Sequence, residues 1–115
     1  MTTVHRERAL DAPHEVALRD SRTELSWSDV ESVVNRVANA LREHVVGPDR
    51  RVAVFARNSA ETILAHVGII YAGCSPVPAS AHLTASELAY ILEDCRADAL
   101  FVGAELCLFY DLPFW

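Results

Sequence analysis

Side chains able to do chemistry are spread thinly along this chain. His5, His14, His44, His66 and His82 have neither the i, i+4 spacing nor the cysteine or carboxylate neighbours that a metal site needs. Cys74, Cys95 and Cys107 are odd in number and form no CxxC pair, so neither a disulfide framework nor a zinc site is indicated. A reducing cytoplasm suits them. Glu93, Asp94 and Asp98 gather where a helix should end, and a solvated acidic patch is a plainer reading than a paired acid and base. No GxSxG elbow supports a Ser-His-Asp triad. The four glycines, Gly47, Gly68, Gly73 and Gly103, stand apart, which excludes a P-loop and a dinucleotide GxGxxG. No catalytic residue and no metal ligand is therefore assigned.

Two places are better positioned than the rest. The loop Ala79–Leu83 follows the carboxyl end of a predicted strand and precedes a helix start, where α/β sheets place ligands and helix termini favour anions. Ser80, Ala81 and His82 are the binding candidates there, against the plainer reading of a connecting loop before a capped helix. His66 sits on an otherwise apolar helix. It reads as a packed, hydrogen-bonded histidine, or one facing a part of an enzyme beyond this chain, ahead of a substrate-pocket role.

The elements that must hold these residues follow from periodicity. Val52–Ala56 is an unbroken apolar run of strand length, suited to a strand covered on both faces. Asn58, with Glu61 three residues on, offers a cap, and Ala60, Ile63, Leu64, Val67, Ile70 and Tyr71 follow at helical spacing until Gly73. Ser75–Ala79 is a second strand. Thr84 and Glu87 form a capping box, flanked by Leu83 and Leu88 at hydrophobic-staple spacing, for a helix whose stripe is Leu88, Ile91, Leu92 and Cys95. Ala99–Val102 is a third strand. Upstream, Val16–Leu18 and Thr23–Trp27 flank the Asp20-Ser21-Arg22 turn as a hairpin. Ser28, with Glu31 reaching back, caps a helix striped by Val30, Val33, Val34, Val37, Ala38, Leu41 and Val45, ended by Gly47 and Pro48. The expected class is α/β: an N-terminal hairpin, a helix, then βαβαβ units giving a parallel sheet.

Composition bounds the rest. A chain of 115 residues is one domain at most, and 51 % hydrophobic with 23 % charged residues describes a core-forming segment. Net charge is −6 and the basic residues form no run, which argues against a nucleic-acid face or an anionic-membrane face. All ten basic residues are arginine. The first residues lack an apolar signal core, and no apolar run approaches the length of a membrane span.

VNRVANALRE at Val34–Glu43, RVAVFARNSAE at Arg51–Glu61, YAG at Tyr71–Gly73 and LTASELAYILED at Leu83–Asp94 occur in one order at one spacing. Together they resemble the N-terminal portion of the adenylate-forming acyl-CoA synthetase superfamily (AMP-dependent synthetase/ligases), which includes peptide-synthetase adenylation domains. The resemblance covers about 16–103. It implies 16–103 as part of the large N-terminal domain and 104–115 as a divergent aromatic tail, while the polar residues 1–15 read as a flexible lead-in with a helical turn around Arg6–Leu10. That tail reads as a frame change or early stop, with a divergent terminal strand as the alternative. The family reaction is ATP-dependent activation of a carboxylic or fatty acid to an acyl-adenylate, then transfer to CoA; ATP, Mg and CoA are the implied cofactors of the full-length enzymes. The loop corresponding to Ser80–His82 approaches the CoA nucleotide in such enzymes. The family's Ser/Thr/Gly-rich phosphate loop ending in Pro-Lys-Gly, its metal-linked glutamate, its ribose-binding aspartate and its mobile-domain lysine do not occur here, so this chain alone is expected to be inactive and to bind no cofactor. The rivals are a non-catalytic protein-interaction module and a small doubly-wound ligand-binding domain, whose phosphate loop is replaced by Arg57-Asn58-Ser59. Uncovered apolar surface implies self-association.

Overall fold

The computed structural model describes residues 4–44, 50–103 and 106–110. Ten elements follow one another: α1 (Val4–Asp11), β1 (Val16–Arg19), β2 (Glu24–Ser26), α2 (Trp27–His44), β3 (Arg51–Phe55), α3 (Ala60–Tyr71), β4 (Ser75–Ala79), α4 (Ala85–Asp94), β5 (Ala99–Val102) and β6 (Cys107–Tyr110). β1 and β2 form the expected antiparallel hairpin, and the main sheet has the order β4-β3-β5-β6. β3 pairs in parallel with both β4 and β5, as two successive βαβ units require. β6 is antiparallel to β5, with Leu100 opposite Phe109 and Phe101 opposite Leu108.

Strand alternation divides the core between the two faces of this sheet. Val52, Val54, Ala99 and Phe101 point to one side and pack with Val37 and Leu41 of α2 and Ala65 and Ile69 of α3. Ala53 and Leu100 point to the other and meet Leu92 of α4, with Phe55, Val77 and Leu88 around them. A third cluster joins Val30, Val34 and Leu64 to the hairpin residues Leu18 and Leu25. Val34, Leu41 and Ile69 are wholly buried; each such side chain contributes roughly 1.5–3 kcal/mol. α2 and α3 approach closely at Gly68, where an added Cβ would lie 2.5 Å from Val37 Cγ1.

Three local expectations are corrected. Residues 4–11 of the lead-in are helix α1, longer than the turn expected around Arg6–Leu10, with His5 only 8 % exposed and edge-on to the Tyr71 ring at 5.3 Å. Arg42 lies over the same ring at 5.5 Å and donates to the Tyr71 carbonyl, so α1, α2 and α3 meet at one aromatic side chain. α2 begins two residues earlier than Ser28 implies: Ser26 Oγ accepts the Asp29 N–H, and Asp29 accepts the Ser26 N–H. Aspartate closes this reciprocal cap where Glu31 was expected. The α3 cap is Ser59 rather than Asn58, its hydroxyl accepting the Thr62 N–H. The α4 box stands as read, Thr84 and Glu87 each accepting the other's N–H. Gly73, at φ +84°, ends the α3 segment in the left-handed conformation glycine tolerates. Val45, Gly47 and Pro48 lie outside the described residues, as do 104, 105 and 111–115 of the tail. The tail's described part is a strand, the alternative the sequence left open.

Candidate functional site

Two clefts open at the carboxyl edge of the sheet. The first, about 590 Å³, lies between the hairpin turn Asp20–Thr23, the run Phe55–Ser59 after β3, and Val102 and Gly103 at the end of β5. The second, about 680 Å³, lies between Ala56–Asn58 and Ser80–His82, floored by Val54, Pro78 and Ala79 and walled by Thr62 and His66 of α3. Carboxyl edges of parallel strands are where α/β sheets hold ligands. Ala81 faces both clefts, whereas Ser80 and His82 belong to the second.

Several of the N–H groups beside these clefts are taken by the chain's own side chains. Asp20 Oδ1 accepts the Arg22 and Thr23 N–H groups at 2.8 Å, and Oδ2 accepts the Ala60 N–H, in the first turn of α3, at 2.9 Å. These donors hold the Asp20 carboxyl below its ordinary range, so it is an ionised cap and no proton donor near neutrality. Ser59 takes the Thr62 N–H, and Thr62 Oγ1 donates to the Arg57 carbonyl at 2.6 Å. In the candidate loop Ser80 Oγ accepts the His82 N–H, and its carbonyl accepts that of Leu83. Backbone hydrogen bonding to Thr84 likewise depresses the Glu87 carboxyl at the start of α4. Both helix N-termini thus carry the protein's own carboxylate where a ligand anion would sit.

His66 was expected to be packed and hydrogen-bonded, or to face a part of an enzyme beyond this chain. Its Nε2 is buried without a hydrogen-bond partner beside the second cleft, and burial lowers its pKa. The ring is therefore neutral near pH 7, with no group at Nε2 to exchange a proton with. Glu93 and Asp94 are exposed, while Asp98 is half-buried with Oδ2 unpartnered at the opposite, amino edge of the sheet. The structure therefore does not bring the acidic residues together with His66. Burial raises the thiols of Cys74 and Cys95, making both poor thiolates. Among the described residues, no three His, Cys, Asp or Glu side chains converge to hold a metal. Asp20 is the residue the sequence reading missed. Its place in a turn was legible, but its reach to residue 60 is a tertiary contact.

A parallel three-strand unit with helices on both faces, extended by an antiparallel strand and preceded by a packed hairpin, defines a piece of the N-terminal domain of adenylate-forming enzymes. Residues 5–111 match the AMP-binding enzyme family, and this chain belongs to that family. The match passes both bounds, 16 and 103, read from the resemblance. Tyrocidine synthase 3 of Brevibacillus parabrevis is 36 % identical over 100 residues, covering 87 % of this chain and 2 % of that protein. The 3-hydroxybenzoate–CoA ligase of Aromatoleum sp. (strain CIB) is 30 % identical over 86 residues, covering 75 % and 16 %. A crystal structure of the nonribosomal peptide synthetase FmoA3 bound to α-methyl-L-serine-AMP superposes with a TM-score of 0.78 at 26 % identity, covering 89 % of this chain and 12 % of that one. The chain thus spans a small fraction of the proteins it matches. No helix among the described residues is long and apolar enough to cross a membrane.

Proposed function

We propose that this chain is scaffold from an ATP-dependent acid–thiol ligase and catalyses no adenylation alone. The observation that carries this reading is the internal capping at the sheet's carboxyl edge: Asp20 takes the Ala60 N–H, Ser59 that of Thr62, and Thr84 and Glu87 take each other's. The proposed reaction of the whole enzyme joins a carboxylate to the α-phosphate of ATP, releasing pyrophosphate. A thiol, that of CoA, then attacks the acyl-adenylate and releases AMP. ATP and CoA are its substrates, and the Ser80–His82 loop is the proposed approach to the CoA nucleotide. A fatty or aryl acid in the cytoplasm is the substrate on this reading. A peptide-synthetase adenylation unit is a second reading, favoured by the identity to tyrocidine synthase 3. Self-association through apolar surface left open, at Ile63 and Ile70 of α3 and at Phe109, is the proposed behaviour of the isolated chain.

Carboxylate-dependent exchange of labelled pyrophosphate into ATP tests the catalytic claim, with fatty, aryl and amino acids each offered. Loss of several transition-state stabilisers costs orders of magnitude apiece, so the expected result is background. Robust exchange by purified chain overturns the scaffold reading.

A further inference from the structure

The two edges of the main sheet are guarded differently. In β4 the Ser75 N–H donates to the Arg50 carbonyl, toward β3. Strand residues alternate in direction, so Ser75, Val77 and Ala79 face β3 and Pro76 and Pro78 face outward. Proline has no N–H, and both outward donor positions of this edge are proline. β4 is closed to further pairing.

β6 has no such protection. Asp98 donates to Arg51 of β3, so Ala99 and Phe101 direct their backbone groups to β6. Their partners are Tyr110 and Leu108, which leaves the N–H and C=O of Cys107 and Phe109 pointing outward. Among the described residues no backbone hydrogen bond reaches that edge. The strand reads Cys-Leu-Phe-Tyr, without proline or charge, and the Phe109 side chain is 51 % exposed. Open edges of this composition are templates for another strand.

We propose that β6 pairs antiparallel with β6 of a second copy, giving the self-association proposed above one defined seam. The occupant is a second copy for two reasons. A two-fold contact uses the same edge on both partners and needs no second surface. The strand itself is also uncharged, so the paired residues 107–109 of two chains of net charge −6 bring no like charges opposite one another. A two-fold axis normal to the sheet permits only registers that keep side chains on matching faces. Placing it at Leu108 sets Cys107 opposite Phe109 of the other copy, and these are the outward-facing residues. Two hydrogen-bonded pairs form, and two four-stranded sheets become one of eight strands. Four residues a side bury less than the 1,200 Å² or so of a standard stable interface, so the dimer is weak and concentration-dependent.

Sedimentation of the full chain across a concentration series, with two variants, tests this. Phe109→Pro removes an outward N–H while sparing the bonds to β5, and should raise the dimer Kd at least ~10-fold with unchanged far-UV circular dichroism. Phe109→Cys in a Cys74→Ser/Cys95→Ser background sets the new thiol opposite Cys107 of the second copy. Hydrogen-bonded antiparallel Cα pairs lie ~5.5 Å apart, within disulfide reach, so mild oxidation should give a covalent dimer. Mass spectrometry should then find Cys107 of one copy linked to the thiol introduced at position 109 of the other. Association that survives Phe109→Pro, with no covalent dimer, overturns the seam while leaving association through the other apolar faces standing. A monomer at every concentration that also fails to cross-link overturns both.

Discussion

The Asp20 carboxylate accepts the backbone N–H of Ala60 at 2.9 Å, joining the hairpin turn to the start of α3 across forty residues of sequence. The same side chain holds its own turn through Arg22 and Thr23, so one residue fixes a local bend and anchors it to the sheet layer. Asp20→Asn keeps an acceptor and removes the charge. Because the carboxyl is depressed in the folded state, its contribution is present above the ordinary value of about 4 and disappears as pH falls through the folded value. The variant should therefore unfold at lower urea than the parent at pH 7, with the gap narrowing progressively below about pH 4. A gap of equal size at pH 7 and pH 3 would count against the anchor.

Repeating grammar was legible in the sequence, and contacts that cross it were not. β4 and β5 fall on the expected residues, and the α4 start is fixed by Thr84 and Glu87, because each signal lies within a few neighbouring positions. The Ser26–Asp29 cap escaped because Ser28 and Glu31, two residues later, make the Ser-x-x-Glu pattern of a capping box, whereas Ser26 is followed by aspartate at that spacing. α1 was legible only as a turn around Arg6–Leu10, because its stability comes from outside itself, through His5 against Tyr71 and the Arg6–Glu31 pair at 3.8 Å. Of the candidate site, the Ser80–His82 loop and its place at the carboxyl edge were readable. The donors filled by Asp20 were not, since no local pattern links residues 20 and 60.

Gly68 should prove hard to replace. Its missing side chain leaves room for Val37, and a Cβ would stand 2.5 Å from Val37 Cγ1, 2.7 Å from its Cβ and 3.3 Å from the Val34 carbonyl. Either α2 or α3 must shift, so Gly68→Ala should destabilise by ~1–3 kcal/mol despite alanine's better helix propensity. Adding Val37→Ala removes the Cγ1 contact but keeps the Val37 Cβ at 2.7 Å, so it relieves part of the clash, and the double variant should be more stable than the sum of the single losses. Strict additivity in urea denaturation would show that the helices do not meet through this pair.

The α4 cap offers a cleaner stability test, because Thr84 is exposed and its effect is confined to one turn. Thr84→Ala loses the hydroxyl that accepts the Glu87 N–H and should cost ~1 kcal/mol, whereas Thr84→Ser should be nearly neutral. Since α4 is the helix covering its face of the sheet through Leu92, hydrogen exchange should accelerate first in α4 and on Ala53 and Leu100 beneath it. Uniform acceleration across α2 and α3 as well would mean that α4 is not a separable layer.

His66 gives stability a second pH dependence, distinct from that of Asp20. Burial disfavours its charged form, so the folded pKa lies below the unfolded value of about 6.5. Between those two values the unfolded chain binds the extra proton, and stability rises with pH; it is fully present above about 6.5 and falls as pH drops toward the folded value. His66→Leu removes the ionisable ring and its unpartnered Nε2 together. The variant should therefore be at least as stable as the parent at about pH 7.5, and its advantage should grow as pH falls toward about 5.5, where the parent must strip a proton to fold. Thermal unfolding of both proteins in matched buffers at these two pH values decides the point: an advantage independent of pH would mean that His66 does not titrate with folding.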